Sequence, residues 1–501
     1  MTAGNEDARN RSGNGRLSDE STDALVSRAL ERFIGAARWF GGKGREFRLR
    51  EVSPLGWVGE GEGEDGVHAR VELATIEYDD GTNEVYQLPL AYYSQARDRL
   101  EHALVGQWED PELGPVFVYD ALHDRHATAL WLAGFDRGHS GPDLVFHRVP
   151  GHDLDLQAHS SLFSGEQSNS SVVFGEDCLM KVFRKVTPGL NPDIEIHKAL
   201  TSAESEHVAA LYGWIETPPH GTDEPMQLAL LQQFLRTASD GWDLALASVR
   251  DLFAEADLHA DEVGGDFAAE SHRLGVATAE VHDALADQFP VESWGDAALS
   301  TLSEAMTQRL ADAIEVVPEL GEHADGLRAA FDALTTLSEP VVVQRIHADF
   351  HLGQTMRTVK GWKLVDFEGE PAKPLSERVR PDSAWRDVAG MLRSFDYAAH
   401  AVEADVEEGA QIAYRALEWA ERNRRAYLAG YIEASGRTEG DDLSPDQRVL
   451  LWAYEVDKAV YETVYEARNR PGWIGIPLAA IERLAQQYAE PYAEHHGATN
   501  S

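Results

Sequence analysis

The sequence predicts an α+β protein whose first half is rich in strands and whose second half is mostly helical. Residues 71–90 hold two strand-like runs separated by a turn at 79–83, and residues 178–183 alternate between two faces. Beyond residue 237, apolar side chains recur at helical spacing. No segment repeats at a fixed period, so solenoids and propellers are excluded.

The remaining elements follow from the same periodicities. The first half holds a predicted helix at 23–33, a Gly- and Glu-rich loop at 59–66, and strands at 171–174 and 228–235. The second half holds predicted helices at 264–286, 300–316, 327–337, 386–399, 411–434 and 447–469. Only 341–346 and 362–367 have the pattern of strands in that half.

At 501 residues, the chain is long enough for two or three domains. We predict a polar, disordered tail at 1–20 and an α+β unit at 21–130, which carries no catalytic signature of its own. A second, β-rich unit is expected at 131–236, and a mostly helical unit at 237–501.

The composition limits the classes of partner and compartment. The net charge is −42, which disfavours DNA, RNA and anionic membranes over most of the surface. The one cysteine, Cys178, excludes an intrachain disulfide. Because the N-terminus has no apolar signal-peptide core and no apolar run reaches the ~18–20 residues of a membrane span, we expect a soluble, cytoplasmic monomer.

The most informative motif reads HADFHLGQ at 347–354, followed by DFEGE at 366–370. Asp349 follows an apolar strand, where a carboxylate can orient a substrate hydroxyl for in-line attack. Gln354 and Asp366 offer an amide oxygen and a carboxylate to Mg²⁺, a hard cation that prefers oxygen ligands. This spacing predicts phosphoryl transfer from ATP. Glu368 is a further candidate metal ligand or an exposed loop acid, and Glu370 is a weaker candidate.

A second group of residues predicts where ATP binds. Lys181 lies within an otherwise apolar strand, and a buried lysine needs partners. We expect it to hold the α- and β-phosphates. Asn191 and Pro192 fit the N-cap and first position of a helix whose first turn contains Glu195, the expected partner of Lys181. A structural ion pair without a ligand is the alternative.

Two backbone segments complete the predicted nucleotide site. The turn at 165–171 precedes Lys181 and includes Ser168, Asn169 and Ser170, whose N–H groups and hydroxyls are candidates to cover phosphates. A plain hairpin loop is the alternative, since the turn has one glycine. Gln233 and Leu235 lie in the segment predicted to connect the two larger units, where backbone groups can hydrogen-bond adenine.

Two features surround the predicted catalytic loop. His347 and His351 flank Asp349. For His347, orientation of the loop by hydrogen bonds is favoured over metal ligation because no third His or Cys is nearby. Arg386-Asp387 is expected to brace this loop.

A charged stripe runs along the helix at 447–469. Glu455, Lys458, Glu462 and Glu466 share one face, which by itself indicates a solvated surface. Aromatic residues beside acids also suit a sugar, so a sugar site is the competing interpretation. Its candidate residues are Glu462, Glu466, Tyr461, Trp473 and His351.

The pattern resembles the kinase-like fold of aminoglycoside and choline phosphotransferases, which usually read His-Gly-Asp with an Asn five residues later. This chain has Ala348 and Gln354 at those positions. It resembles the actinobacterial maltokinase family more specifically, in blocks that span about 24–490. These blocks are RWFGGK (38–43), EQSNSSV (166–172), NPDIE (191–195), SVRDLFAE (248–255), EVGGDF (262–267), DFEGEP (366–371), RDVAG (386–390), DKAVYE (457–462) and RPGW (470–473).

This resemblance implies a bilobal kinase preceded by an N-terminal cap domain. The unit at 21–130 is then the cap, 131–236 the N-lobe, and 237–501 the C-lobe with the acceptor site. The implied reaction is ATP- and Mg²⁺-dependent phosphorylation of maltose to maltose 1-phosphate, a precursor of α-glucans such as glycogen. Two alternatives remain open: a kinase for glucosamine or another small sugar, and a catalytically inactive kinase fold that serves as a binding module.

Overall fold

The computed structural model describes residues 22–60, 66–163, 168–219, 224–255, 258–370, 373–403, 410–436 and 442–487. Within these ranges the strands are β1 (Phe47–Glu60), β2 (His68–Tyr78), β3 (Asn83–Tyr93), β4 (Leu104–Asp110), β5 (Gly114–Asp120), β6 (Val145–Arg148), β7 (Ser160–Phe163), β8 (Ser170–Phe174), β9 (Cys178–Val182), β10 (Lys185–Val186), β11 (Leu211–Thr217), β12 (Met226–Gln233), β13 (Ser239–Asp240), β14 (Glu292–Trp294), β15 (Val341–Val343), β16 (Thr355–Thr358) and β17 (Gly361–Leu364). The helices are α1 (Thr22–Ala36), α2 (Arg125–Arg137), α3 (Pro192–Ser202), α4 (Gly241–Ala254), α5 (Ala268–Gln288), α6 (Asp296–Val316), α7 (Ala324–Ala333), α8 (Leu375–Arg378), α9 (Trp385–Glu403), α10 (Ala410–Ser435), α11 (Pro445–Asn469) and α12 (Gly475–Gln487).

The first sheet has the order β1-β2-β3-β5-β4. The predicted hairpin is confirmed, since β2 and β3 pair in antiparallel register from His68 opposite Tyr92 to Glu77 opposite Asn83. Gly81 takes a positive φ of 80° in its turn, which glycine adopts without steric cost. Strand β10 joins this sheet by pairing with β3, so the chain returns to the first sheet after it has built most of the second.

The second sheet has the order β6-β11-β12-β9-β8-β7. Its central strand β9 carries Lys181, which pairs with Leu230 of β12 on one side and with Ser171 of β8 on the other. The two sheets share one apolar core, in which Val71 and Tyr93 of the first sheet are buried together with Met180 of the second. The first unit therefore forms a continuous body with the second.

The helical half packs around its own core and carries the two Asp-bearing motifs. Helices α5 and α10 cross closely, because a Cβ on Gly275 would lie 2.1 Å from the carbonyl oxygen of Tyr427 and one on Gly430 would lie 2.0 Å from that of His272. The short hairpin β16–β17 lies between the two motifs. No helix in the described ranges is both long enough and apolar enough to cross a membrane.

Several predictions of elements are refined by the structure. Helix α2 runs through the boundary predicted at 130/131, while the boundary at 236/237 falls between β12 and β13. Helices α2, α4, α8 and α12 were not predicted. Strands β13, β14 and β16 were not predicted either, and they correct the expectation of only two strands after residue 237. The predicted tail at 1–20 and most of the loop at 59–66 lie outside the described residues, although Gly59 and Glu60 end β1.

Candidate functional site

Lys181 lies at the centre of a buried cluster of charged side chains. The cluster lies between the half of the chain that contains the two large sheets and the helical half. Its Nζ donates to Asp193 Oδ2 at 2.9 Å and to Asp366 Oδ1 at 2.8 Å, and it lies 2.6 Å from Glu368 Oε1. The lysine side chain is 8% exposed. Three carboxylates thus satisfy one buried ammonium group, which explains how the strand β9 tolerates a lysine.

The predicted pair between Lys181 and Glu195 is wrong. Helix α3 begins as predicted, with the Asn191 side chain accepting from the N–H of Asp193 and Pro192 in the first turn. Asp193, at the second helical position, faces Lys181. Glu195 lies two residues further, more than half a turn around the helix, and pairs instead with Arg345.

Asp193 is held in its ionised form. Its Oδ1 accepts the N–H of Phe367 at 3.0 Å and lies 3.1 Å from Nδ1 of His197. Although burial alone would raise the pKa of Asp193, Lys181 and His197 outweigh that effect and hold it well below its usual range. Both oxygens of Asp193 are therefore occupied by donors within the protein.

Glu368 has the opposite electrostatic balance. Burial raises its pKa to about 7 against the influence of Lys181, and the neighbouring carboxylates Asp366 and Asp193 add to the increase. Its Oε1 also accepts from Asn169 Nδ2 at 2.7 Å. The interpretation of Glu368 as an exposed loop acid is thus wrong, because its side chain is only 20% exposed.

The turn before β8 connects to this cluster through Asn169. Ser170, the next residue, begins β8, and its Oγ accepts from Arg184 Nε at 2.8 Å. Ser168 lies in the bend before them. Asn169, from the turn predicted to cover phosphates, therefore contacts a carboxylate that also contacts Lys181, while residues 165–167 of that turn lie outside the described ranges.

As predicted, Asp387 braces the loop that carries Asp349. One carboxylate oxygen of Asp387 accepts the N–H of His347 at 2.7 Å and the other accepts that of Ala348 at 2.9 Å. His282 Nε2 lies 3.0 Å from the same carboxylate. Ala348 has a φ of 70°, the left-handed conformation that glycine adopts more readily. The buried anchor Asp387 holds this strained backbone in place.

His347 and His351 both form hydrogen bonds with backbone groups of the site. His347 Nε2 lies 3.0 Å from the carbonyl oxygen of Val365, which joins the two Asp-bearing motifs. His351 Nδ1 accepts the N–H of Gly353 at 3.1 Å. Burial lowers the pKa of His351 to about 4, so its ring is neutral near pH 7.

Asp349 faces a lysine that lies 109 residues later in the chain. Lys458 Nζ on α11 lies 3.3 Å from Asp349 Oδ1. Burial alone would raise the pKa of Asp349, but Lys458 and the two nearby histidines outweigh it and lower the pKa. Asp349 is therefore a carboxylate near neutral pH, as a hydrogen-bond acceptor for a hydroxyl must be.

Gln354 and Asp366 are adjacent, as their spacing predicted. Gln354 Nε2 donates to Asp366 Oδ2 at 3.4 Å, which leaves the amide oxygen for another partner. Asp366 has a φ of 65° and is 41% exposed, the most accessible carboxylate of the cluster. Oxygen atoms of Asp193, Asp366 and Glu368 lie within 4.8 Å of one another, close enough to hold one cation.

The segment predicted to contact adenine follows the end of β12. Gln233, the last residue of that strand, donates its N–H to the carbonyl of Ala210 at 2.8 Å. Leu235 lies two residues beyond the strand, in the connection to β13. Both residues are half-buried.

The charged face of α11 is not a solvated stripe. Glu455 and Glu466 are buried, and Glu462 Oε2 accepts from Arg393 at 2.8 Å and 3.0 Å. In contrast, Tyr461 and Tyr465 are 43% and 42% exposed, with their rings 6.4 Å apart and stacked.

The aromatic end of this helix is open to a ligand while its acids are internally paired. Glu466 lies 3.1 Å from Arg470, whose guanidinium also lies over the half-buried Trp473 ring at 5.0 Å. Glu462 and Glu466, two of the predicted sugar-binding residues, are therefore already paired with arginine side chains. The centre of the Tyr461 ring lies 5.3 Å from Lys458 Nζ, and Lys458 in turn contacts Asp349.

Sequence reasoning missed the roles of three residues in the site. Asp193 and Glu195 lie in the same helical turn. The feature of the sequence that could have identified Asp193 as the partner of Lys181 is its position nearer the start of the helix. Lys458 was recognised only as part of a charged face. Arg345, which pairs with Glu195, follows an apolar strand and gave no local signal.

Comparisons with known proteins support the fold that this geometry describes. A family model described as the maltokinase N-terminal cap domain matches residues 33–124, within the unit predicted at 21–130. A glucosamine kinase from Streptacidiphilus jiangxiensis is 29% identical over 335 residues, which cover 64% of this chain and 72% of that protein. One from Mycolicibacterium smegmatis is 28% identical over 333 residues, covering 64% and 78%.

A solved structure shows the same architecture over nearly the whole chain. It is a glucosamine kinase in complex with glucosamine, ADP and inorganic phosphate, and it matches with a TM-score of 0.65 at 22% identity. The match covers 90% of this chain and 98% of that one. The predicted fold class, an α+β kinase-like fold with an N-terminal cap, is confirmed.

Proposed function

We propose that this chain, a maltokinase-like member of the kinase-like superfamily, is a sugar kinase that transfers the γ-phosphoryl group of ATP to maltose. The observation that carries the proposal is the convergence of a braced catalytic carboxylate, Asp349, with Lys181 and the amide–carboxylate pair Gln354 and Asp366. These groups come from different elements and have the chemistry that phosphoryl transfer needs.

Asp349 performs the acceptor step. Its carboxylate accepts a hydrogen bond from the sugar hydroxyl and takes the proton as the hydroxyl oxygen bonds to the γ-phosphorus and the bond to the leaving ADP oxygen breaks. The lowered pKa of Asp349 keeps it ionised before the reaction. Lys458 balances the charge beside it and positions it.

Lys181 holds the phosphates while its carboxylate partners keep it in place. Asp193 remains buried on one side of the ammonium group, and the more exposed Asp366 leaves room on the other. Asn169 contacts Glu368, and together with Ser168 and Ser170 it is proposed to cover the phosphates with backbone donors. Gln233 and Leu235 are proposed to contact adenine.

The donor set fits Mg²⁺, a hard cation. Asp366, Glu368 and the amide oxygen of Gln354 are the residues that would hold it, because both oxygens of Asp193 already accept protein donors. When bound, Mg²⁺ neutralises charge on the β- and γ-phosphates. Burial is the main cause of the raised pKa of Glu368, and the nearby carboxylates of Asp366 and Asp193 add to it against the effect of Lys181.

Maltose is proposed as the acceptor because the cap domain at 33–124 matches the maltokinase type. Glucosamine is the second candidate, because the two relatives and the solved structure above are glucosamine kinases. The exposed rings of Tyr461 and Tyr465 offer apolar faces for the C–H surface of either sugar.

One variant tests the chemistry. Asp349→Asn should lower kcat in a coupled ADP assay by about 10²–10⁴-fold, while the affinity for ATP stays nearly unchanged, because the amide cannot take the proton. Asp325→Asn, on a fully exposed position of α7, is the matched control and should keep wild-type turnover. Wild-type turnover by Asp349→Asn would show that the assignment is wrong.

A sugar panel tests the acceptor. The protein is incubated with ATP and with maltose, glucosamine or glucose, and the products are identified by ³¹P NMR. An anomeric phosphate on maltose supports the proposal, whereas a 6-phosphate on glucosamine supports the second candidate. Binding of ATP without transfer to any of these sugars would favour an inactive binding module.

A further inference from the structure

A cavity between the cap and the N-lobe sheet borders the site described above, because Asn169 and Ser170 belong to both. Its volume is about 860 Å³, and it is bounded by helix α1, the start of β4, and strands β7 and β8. The volume is that of a small organic ligand and is much larger than an inorganic anion needs. The mechanism proposed above uses none of the cap residues that line it.

The cavity is cationic in a protein whose net charge is −42. Three arginines line it, Arg32, Arg38 and Arg184. His102 and His123 also line it, with rings 5.1 Å apart, but burial lowers the pKa of His123 and disfavours its charged form. Its single acidic lining residue, Asp120, accepts from Arg184 Nη2 at 2.9 Å. Positive charge is therefore in excess at this place, against the trend of the whole surface.

Arg184 is the buried part of this cluster. Its side chain is 1% exposed, Nε donates to Ser170, and the guanidinium lies 4.8 Å from the Trp39 ring. Its remaining nitrogen, Nη1, is buried and has no hydrogen-bond partner in the part of the chain that the structure describes. A buried guanidinium donor without an acceptor is costly, and an anionic ligand would satisfy it.

The rim of the cavity supplies the other charges from exposed positions. Arg32 and Arg38 are both exposed. The Nε of Arg32 donates to the carbonyl oxygen of Arg28, and within the described ranges Arg32 has no carboxylate partner. Asn169 and Ser170 add polar groups, and the rest of the lining is apolar and includes the exposed side chains of Leu104 and Phe163. Cationic and apolar walls together suit an anion that carries a ring.

We propose that this cavity binds a sugar phosphate, whose phosphate group is held by Arg32, Arg38 and Arg184 while its ring packs against Phe163 and Leu104. The proposal does not depend on the reaction assigned to the catalytic site. The ligand would contact the same guanidinium that anchors Ser170, the residue beside Asn169.

Isothermal titration calorimetry tests the proposal, with glucose 6-phosphate and glucose 1-phosphate as probes and ADP present to occupy the nucleotide site. We expect binding of a sugar phosphate at least about tenfold tighter than that of inorganic phosphate, and no binding of glucose. The double variant Arg32→Gln/Arg38→Gln should weaken it at least about tenfold, since each lost charged hydrogen bond has an effect of this order. Both residues are exposed, so the fold should be retained.

Two controls separate this cavity from other sites. Arg48→Gln changes an arginine of β1 that is 73% exposed and does not line the cavity, and it should leave the affinity unchanged. Lys458→Met changes the acceptor site and should also leave it unchanged. The proposal is overturned if neither sugar phosphate binds at millimolar concentration, if the double variant binds as tightly as wild type, if Lys458→Met abolishes binding, or if inorganic phosphate binds equally well.

Discussion

Glu368→Gln tests the charge balance around Lys181. Burial raises the pKa of Glu368 from 4.5 to about 7, against the effect of the nearby Lys181. A carboxyl group whose folded-state pKa is raised stabilises the fold fully below its unfolded pKa and loses that contribution as the pH rises through the folded value. The interval from 4.5 to about 7 corresponds to roughly 3 kcal/mol in the free energy of unfolding.

Because glutamine does not ionise, the free energy of unfolding of the variant should not fall in this way as the pH rises. The free energy of unfolding of Glu368→Gln minus that of wild type should therefore rise by about 3 kcal/mol between pH 4.5 and pH 8. The measurement is urea unfolding followed by tryptophan fluorescence at several pH values, without nucleotide and with a chelator. Any constant effect of the lost Lys181 contact cancels, because only the change with pH is compared.

Glu370→Gln is the matched control, two residues further along the same loop. Burial would raise the pKa of Glu370, but Arg386 and Lys373 outweigh it and lower the pKa. The contribution of Glu370 is therefore present above its unfolded pKa, and its variant should differ from wild type by a constant amount between pH 5 and pH 8. If the difference in the free energy of unfolding between Glu368→Gln and wild type did not change with pH, the raised pKa of Glu368 would be refuted. An equal rise for Glu370→Gln would refute it as well.

Two further variants test the contacts of the site. Asp193→Asn should raise the KM for ATP about tenfold or more and Glu195→Gln less than about threefold, because Asp193 contacts Lys181 and Glu195 does not; the reverse order would contradict this assignment. Lys458→Met should shift the acidic limb of the kcat/KM profile to higher pH, because Lys458 opposes the effect of burial on the pKa of Asp349; an unchanged limb would rule out that role.

Periodicity predicted most of the long elements because each buries one face. The hairpin β2–β3 and the N-cap at Asn191 followed from local turn and cap chemistry, and both are present. The boundary at 130/131 could not be placed from composition, because helix α2 packs residues such as Phe135 into a core that both sheets share. Shared burial is a tertiary property that leaves no mark on local sequence.

The site was predictable where its residues are close in sequence. Gln354 and Asp366 flank one short hairpin, so their contact follows from the chain's path. The choice between Asp193 and Glu195 depends on which side of α3 faces β9, and that orientation is set by packing. Lys458 reaches Asp349 across the helical core, a contact with no local signal in the sequence.

The charges around Lys181 should make the affinity for nucleotide depend on a divalent cation. One lysine faces three carboxylates there, and burial, together with the neighbouring carboxylates, raises the pKa of Glu368. A polyphosphate would add further negative charge to this cluster, within a protein of net charge −42. Nucleotide without a divalent cation should therefore bind weakly, and the cation should increase the affinity by neutralising both the phosphates and the excess carboxylate charge. Since Glu368 is partly protonated near pH 7, cation and nucleotide binding together should release a proton from it.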